Sequence, residues 1–182
     1  NDPKNNIFYE FKGFIKEEIL EQTQNINGKN VQVQYPNIFR KGTLIKKENN
    51  YHTERIGDFI NDNLNGDNCK ETLSLNNDII RIFQGKFKDG KIISGEINAF
   101  TENFDITYKS DSNLVYDSNN NYHFNGKGHL LFILKNMNQS FEYDGIFDPQ
   151  MNYPYFSNGT LNIKSNDEIM IEKGNFICDG SI

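Results

Sequence analysis

The sequence predicts an all-β protein, an array of antiparallel β-hairpins forming an elongated, twisted single-layer repeat sheet. Three observations carry that expectation. Ala, the best helix former, occurs once (Ala99), whereas Gly occurs 14 times and Phe plus Tyr 24 times, a composition that disfavours a helical bundle. The triplet Gly-x-Phe recurs at Gly57-Asp58-Phe59, Gly85-Lys86-Phe87, Gly145-Ile146-Phe147 and Gly174-Asn175-Phe176, its glycines separated by 28, 60 and 29 residues. Those are one, two and one steps of a unit of roughly thirty residues, a repeat period. Around the glycines apolar and polar residues alternate, the period-two signature of half-buried strands.

In chain order, the array is expected from about residue 8, and residues 1–182 read as a single domain. Gly13 and Gly42 are 29 residues apart, followed by Phe14-Ile15 and Thr43-Leu44, and read as the first two unit starts. Lys16 to Gln22 is the one stretch with the composition for a short helix. Strands are expected to begin at or just before Gly57, Gly85, Gly145 and Gly174. The unit missing between Gly85 and Gly145 should fall near residue 115, and Tyr108 to Tyr116 supplies a degenerate copy with Ser110 in place of glycine. A second pattern, at Asn27-Gly28, Ser94-Gly95, Asn125-Gly126-Lys127-Gly128 and Asn158-Gly159, opens the returning strand of each unit with a turn dipeptide. Phe83-Gln84-Gly85-Lys86-Phe87-Lys88-Asp89-Gly90-Lys91 is the clearest copy, because Asp-Gly suits a tight hairpin turn that needs positive φ. A lone hairpin of this kind exposes too much apolar surface, so stacking of units must supply the stability.

The string from Phe83 to Ile97 resembles the MORN repeat, whose unit runs Tyr-x-Gly-x-Trp/Phe-x-x-Gly and then a second glycine-rich strand with Gly-x-Gly. Tyr143-Asp144-Gly145-Ile146-Phe147 is similar to the first half, and Gly126-Lys127-Gly128 to the second. The chain departs from that pattern in its longer loops, its lack of Trp and its single glycines in most second halves. The resemblance implies an open sheet of successive hairpins used as a scaffold, often dimeric, with membrane-surface contact in some members.

The composition also limits the chemistry. With 19 basic and 25 acidic side chains the formal charge is −6, which opposes binding to a phosphate backbone. Nucleic acid is therefore an unlikely partner. The longest unbroken apolar run, Leu130 to Leu134, is about a quarter of a bilayer crossing. His123 and His129 lie six residues apart, about 20 Å along a strand, and cannot share one metal ion. Glu17, Glu18 and Glu21 read as a solvated face. Asp58, Asp62, Asn63, Asn65 and Asp67 have the composition of a calcium loop without its spacing. Lys46, Lys47, Lys86, Lys88 and Lys91 read as solubilising, edge-protecting charge. Cys69 and Cys178 stand far apart with no CxxC; one disulfide between them is an open alternative, and two thiols in a reducing compartment are the expected state. No charged-then-apolar leader follows Asn1, and the expected location is intracellular, cytoplasmic or cytoskeleton-associated, or organellar. No nucleophile, base and orienter occur together, so neither enzyme activity nor a cofactor is expected.

Two features carry the functional expectation. The aromatic residues Phe83, Phe87, Tyr143, Phe147 and Phe176 form either a core stripe between hairpins or, on an uncovered sheet, a binding groove. Phe87, Phe147 and Phe176 should occupy equivalent positions on one face. The last unit opens at Gly174-Asn175-Phe176-Ile177-Cys178, but after Asp179-Gly180 only Ser181-Ile182 remain. Its missing return strand marks an edge that should pair with a second copy or another subunit. The expected role is a non-enzymatic scaffold or protein-interaction module in a larger assembly. The alternative is a closed barrel or sandwich that binds a small apolar ligand or a single nucleic-acid strand, and overall shape separates the two.

Overall fold

The computed structural model describes residues 7–26, 28–119, 121–148, 155–165 and 168–177. The strands are β1 (Ile7–Ile26), β2 (Lys29–Glu48), β3 (Tyr51–Ile60), β4 (Asn63–Leu64), β5 (Gly66–Leu75), β6 (Asp78–Lys88) and β7 (Lys91–Phe100). They continue as β8 (Phe104–Ser110), β9 (Val115–Tyr116), β10 (Tyr122–His123), β11 (Gly126–Leu134), β12 (Gln139–Asp148), β13 (Tyr155–Ser165) and β14 (Glu168–Ile177). One open antiparallel sheet runs in the order β1-β2-β3-β5-β6-β7-β8-β11-β12-β13-β14, with β4 folded back on β3 and β9 and β10 forming a separate pair. Because β1 and β14 end that order without meeting, the expected alternative of a closed barrel is overturned.

Backbone chemistry accounts for part of the Asn content: of 29 Asn in the chain, six among the described residues sit at positive φ. Every described non-glycine residue at positive φ is Asn or Asp: Asn49, Asn61, Asp62, Asn76, Asn77, Asp89, Asn138 and Asn158. These are the side chains that tolerate the left-handed region in tight hairpin turns. Asp89 and Gly90, at φ 50° and 78°, make the turn that the sequence predicts.

The glycine rhythm becomes a single row across the whole sheet. Gly13 pairs with Gly42 and Gly42 with Gly57. The β3–β5 register sets Gly57 beside Cys69, which pairs with Gly85. Gly85 pairs with Gly95 and Gly95 with Ser110. Ser110 then neighbours Gly128, which pairs with Gly145; Gly159 follows and pairs with Gly174. Each of the strands on the sheet's path thus contributes one small residue, with Cys69 and Ser110 standing in where glycine is absent. At Gly85 and Gly95 the reason is steric. Their φ values of 149° and 130° belong to glycine, and a β-carbon on either would collide with a carbonyl oxygen of the opposite strand. At Gly145 and Gly159 the space is taken by the Tyr143 ring, which lies across both.

Three expectations about the elements are corrected. The triplet glycines sit near the ends of strands rather than their starts: Gly57 in Tyr51–Ile60, Gly85 in Asp78–Lys88, Gly145 in Gln139–Asp148 and Gly174 in Glu168–Ile177. The alternating residues that precede each glycine already form the strand. Gly13 and Gly42 belong to one hairpin, not two units, because β1 and β2 pair along 20 residues each. Lys16 to Gln22 is strand, not helix, since it extends the same ladder. As β3 pairs with β2 only from Phe39 to Glu48, the distal part of this first hairpin continues past the sheet as a two-stranded ribbon.

The core lies on one face, which we term inner. Phe59, Phe83, Phe87, Ile92, Ile97, Tyr108, Tyr143 and Phe147 are buried there. Phe59, Phe87 and Phe147 hold the same step, two residues beyond the row, as the repeat predicts. Phe176 holds that step in the backbone of β14, opposite Phe156; its side chain lies outside the described residues.

Candidate functional site

The aromatic stripe is not an open groove. Phe83 is 7% exposed and Phe87, Tyr143 and Phe147 are 2% or less, because residues 111–119 and 121–125, between β8 and β11, fold across the inner face. Tyr122 meets Phe83 edge-on at 5.6 Å. Phe124 stacks on Tyr108 at 3.8 Å and approaches Phe147 at 5.7 Å. The Tyr116 hydroxyl donates to the Ile92 carbonyl at 2.8 Å, and the Leu114 amide to the Ile93 carbonyl at 2.7 Å, fastening the cover to β7. Within the cover, Asn121 donates from its backbone and side chain to Asp117, which holds that carboxyl below its usual range. Burial pushes the Tyr116 and Tyr122 hydroxyls up. Ser110 keeps its expected place in the row at the end of β8, but the part of that degenerate unit after it joins this cover, where β9 pairs with β10 apart from the large sheet. Tyr122 and Phe124 were the available signal: two aromatics in an Asn-rich stretch outside the repeat.

Beside the cover, Arg55 and Arg81 both approach Glu71, at 2.7 and 3.7 Å, and the Arg81 guanidinium lies 4.5 Å from the Phe83 ring centre. Glu71 is 9% exposed, and its two cations offset the cost of burying it. This network joins β3, β5 and β6 and has the character of a structural tie. The calcium-like group is dispersed among cations: Asp62 pairs with Arg40, Asp58 lies 3.7 Å from Lys41, and Asp67 3.2 Å from Lys86.

On the outer face, strand pairing assembles a cluster that sequence spacing conceals. His129 on β11 stands opposite Asp144 on β12. Its Nδ1 lies 2.9 Å from an Asp144 oxygen and its Nε2 3.7 Å from Glu142. These three offer potential metal-ligand atoms within 4.8 Å of one another. A trough of about 760 Å³ next to them is lined by Lys109, Lys127, His129, Asp144 and Ile146, among others. Two lysines there oppose a cation, and Nδ1 is already engaged by Asp144. His123 has its own carboxylate, Asp117, at 3.4 Å.

The two sheet edges are the other candidates. Gly174, Asn175, Phe176 and Ile177 lie on β14, which pairs with β13 alone among the described residues; Cys178 lies outside them. At the opposite edge β1 pairs, among the described residues, with β2 alone. Of the 15 exposed large apolar side chains among the described residues, eight lie on these two strands: Phe8, Tyr9, Phe14, Ile15 and Ile19 on β1, and Ile169, Met170 and Ile171 on β14. Exposed apolar residues on a strand with one described neighbour are the features that strand addition uses. Sequence reasoning placed an interface at Gly174 to Cys178 and none on β1. Cys69 is a buried free thiol, and burial pushes its pKa up.

Comparison with protein-family models, with curated proteins and with solved structures finds no match to this chain. No helix among the described residues is long and apolar enough to cross a membrane.

Proposed function

We propose that this chain is a MORN-like, non-enzymatic scaffold that holds other protein subunits in a larger assembly by strand addition at its sheet edges. The observation that carries the reading is the concentration of exposed apolar side chains on β1 and β14, the two strands at the ends of the sheet that have one neighbour each among the described residues. An added strand would pair with the backbone of such an end strand and cover the apolar side chains in one step. The aromatic stripe, filled by residues 111–119 and 121–125, serves this role indirectly by keeping the sheet rigid. Net charge −6 favours protein over nucleic acid as the partner.

Introducing Lys at Ile171, which is 62% exposed, places a charge where a partner strand would cover it and leaves the core untouched. In extracts of cells that normally make the protein, the unaltered chain is expected to sediment in a complex with other proteins. Ile171→Lys should lower the complexed fraction about tenfold, corresponding to the loss of one well-buried apolar contact and a charge penalty. The reading fails if the unaltered chain sediments free of other proteins, or if Ile171→Lys leaves the complex intact.

A further inference from the structure

We infer that β1 is a self-association edge, which pairs antiparallel with β1 of a second copy about a twofold axis at Gly13. The inference rests on the edge-pairing reading above and assigns the occupant of one edge.

Strand parity makes the first argument. Eleven strands lie on the sheet's path and each neighbouring pair is antiparallel, so β1 and β14 run in the same direction. A copy translated so that its β1 met β14 would form a parallel pair, the less stable arrangement. Antiparallel pairing between copies that keeps both inner faces on one side requires a twofold axis, which matches β1 with β1 or β14 with β14 and closes at a dimer.

The sequence of β1 then selects between them. Centring the axis on Gly13 continues the row of small residues and sets every residue i opposite residue 26 − i. Glu10, which pairs with Lys12 on its own strand, faces the partner's Lys16, and Lys16, which pairs with Glu18, faces the partner's Glu10, so one operation adds a second, cross-copy ion partner to each. Phe11 faces Ile15, Lys12 faces Phe14 and Ile7 faces Ile19, so the side chains left most exposed on this strand, Phe14 at 84% and Ile19 at 66%, gain neighbours. The whole of residues 7–19 is matched in this register. The same operation about Gly174 matches only residues 171–177 of the described strand, with Lys173 opposite Asn175 and Glu172 opposite Phe176, and forms no ion pair. The β1 edge is therefore the self-complementary one, and a dimer built there leaves two β14 edges free for other subunits.

Sedimentation equilibrium on the purified chain tests this. The expected species has twice the 21.1 kDa chain mass. Lys16→Glu turns both cross-copy ion pairs into like-charge pairs and should weaken the dimer about 30-fold, and the exchange Glu10→Lys with Lys16→Glu should restore it to within about threefold. Both positions are on the surface, and circular dichroism checks that the variants fold. A monomer at all concentrations, or a dimer indifferent to Lys16→Glu but broken by Ile171→Lys, overturns the inference. Either result leaves the scaffold reading standing, whereas a β1 dimer that carries no other protein in extracts would remove that reading and keep this one.

Discussion

Replacing Gly85 with Ala is expected to destabilise the protein by about 4 kcal/mol, combining left-handed backbone strain with overpacking against a neighbouring strand. Gly85 has φ 149°, and a β-carbon there would collide with the Ser94 carbonyl oxygen and stand 2.8 Å from the Gly95 Cα. Those are backbone atoms held in the β6–β7 ladder, so they cannot swing aside as a side chain does. Gly28 is the control. Its φ is 79°, but a β-carbon there meets nothing within 4 Å, and Gly28→Ala should cost only about 1 kcal/mol from backbone conformation. Urea denaturation of the two variants measures the difference. Equal losses would mean that the row is a consequence of turn preference alone and not of close strand approach.

Phe147→Ala is expected to cost a similar amount, about 4 kcal/mol. The ring is 2% exposed and meets Tyr108 and Tyr143 edge-on, each at 5.2 Å. Phe124 of the cover packs on it as well. Truncation therefore opens a cavity between the sheet and the cover, and removes one support of that cover. The midpoint in urea should fall, and near-ultraviolet circular dichroism should lose aromatic signal even before unfolding. A loss below about 0.5 kcal/mol, within the range of a surface substitution, would place the ring in solvent and restore the open-groove expectation.

The fold was legible wherever local chemistry determines it. Gly-x-Phe spaced by about thirty residues marks the row because a small residue is required at one step of every strand. Asp89-Gly90 marks its turn because few residues tolerate positive φ. What stayed hidden depends on pairing rather than on local pattern. Gly13 and Gly42 carry the same spacing as two units, yet they close a single long hairpin, since nothing in the alternating residues between them specifies where the chain turns except Asn27-Gly28. Residues 111–119 and 121–125 lack a repeat because they are not part of the sheet, and only their aromatics announce that they cover it. The candidate site divides in the same way. An edge at Gly174 to Cys178 was expected from a hairpin lacking its return strand, whereas β14 is itself the return strand of the β13–β14 hairpin and is an edge among the described residues because it has β13 as its one neighbour. The β1 edge was not legible, because an edge strand and a central strand share one alternation and differ only in how many neighbours they have. The His129, Glu142 and Asp144 cluster was likewise invisible, being made by the register of β11 on β12.

The central claim is that the sheet is open, with β1 and β14 far apart and both available to partners. The most direct measurement is the intrachain distance between spin labels at Lys12→Cys and Lys173→Cys in a Cys178→Ser background, with Cys69 left buried and unlabelled protein added in excess. Both positions lie next to the glycine row, on strands separated by ten steps of the sheet. At about 4.8 Å per step the path is roughly 48 Å, and twist shortens the direct distance to roughly 30–45 Å. A distribution centred in that range is the predicted result; one centred below about 20 Å, the separation of strands that nearly meet, would contradict the account.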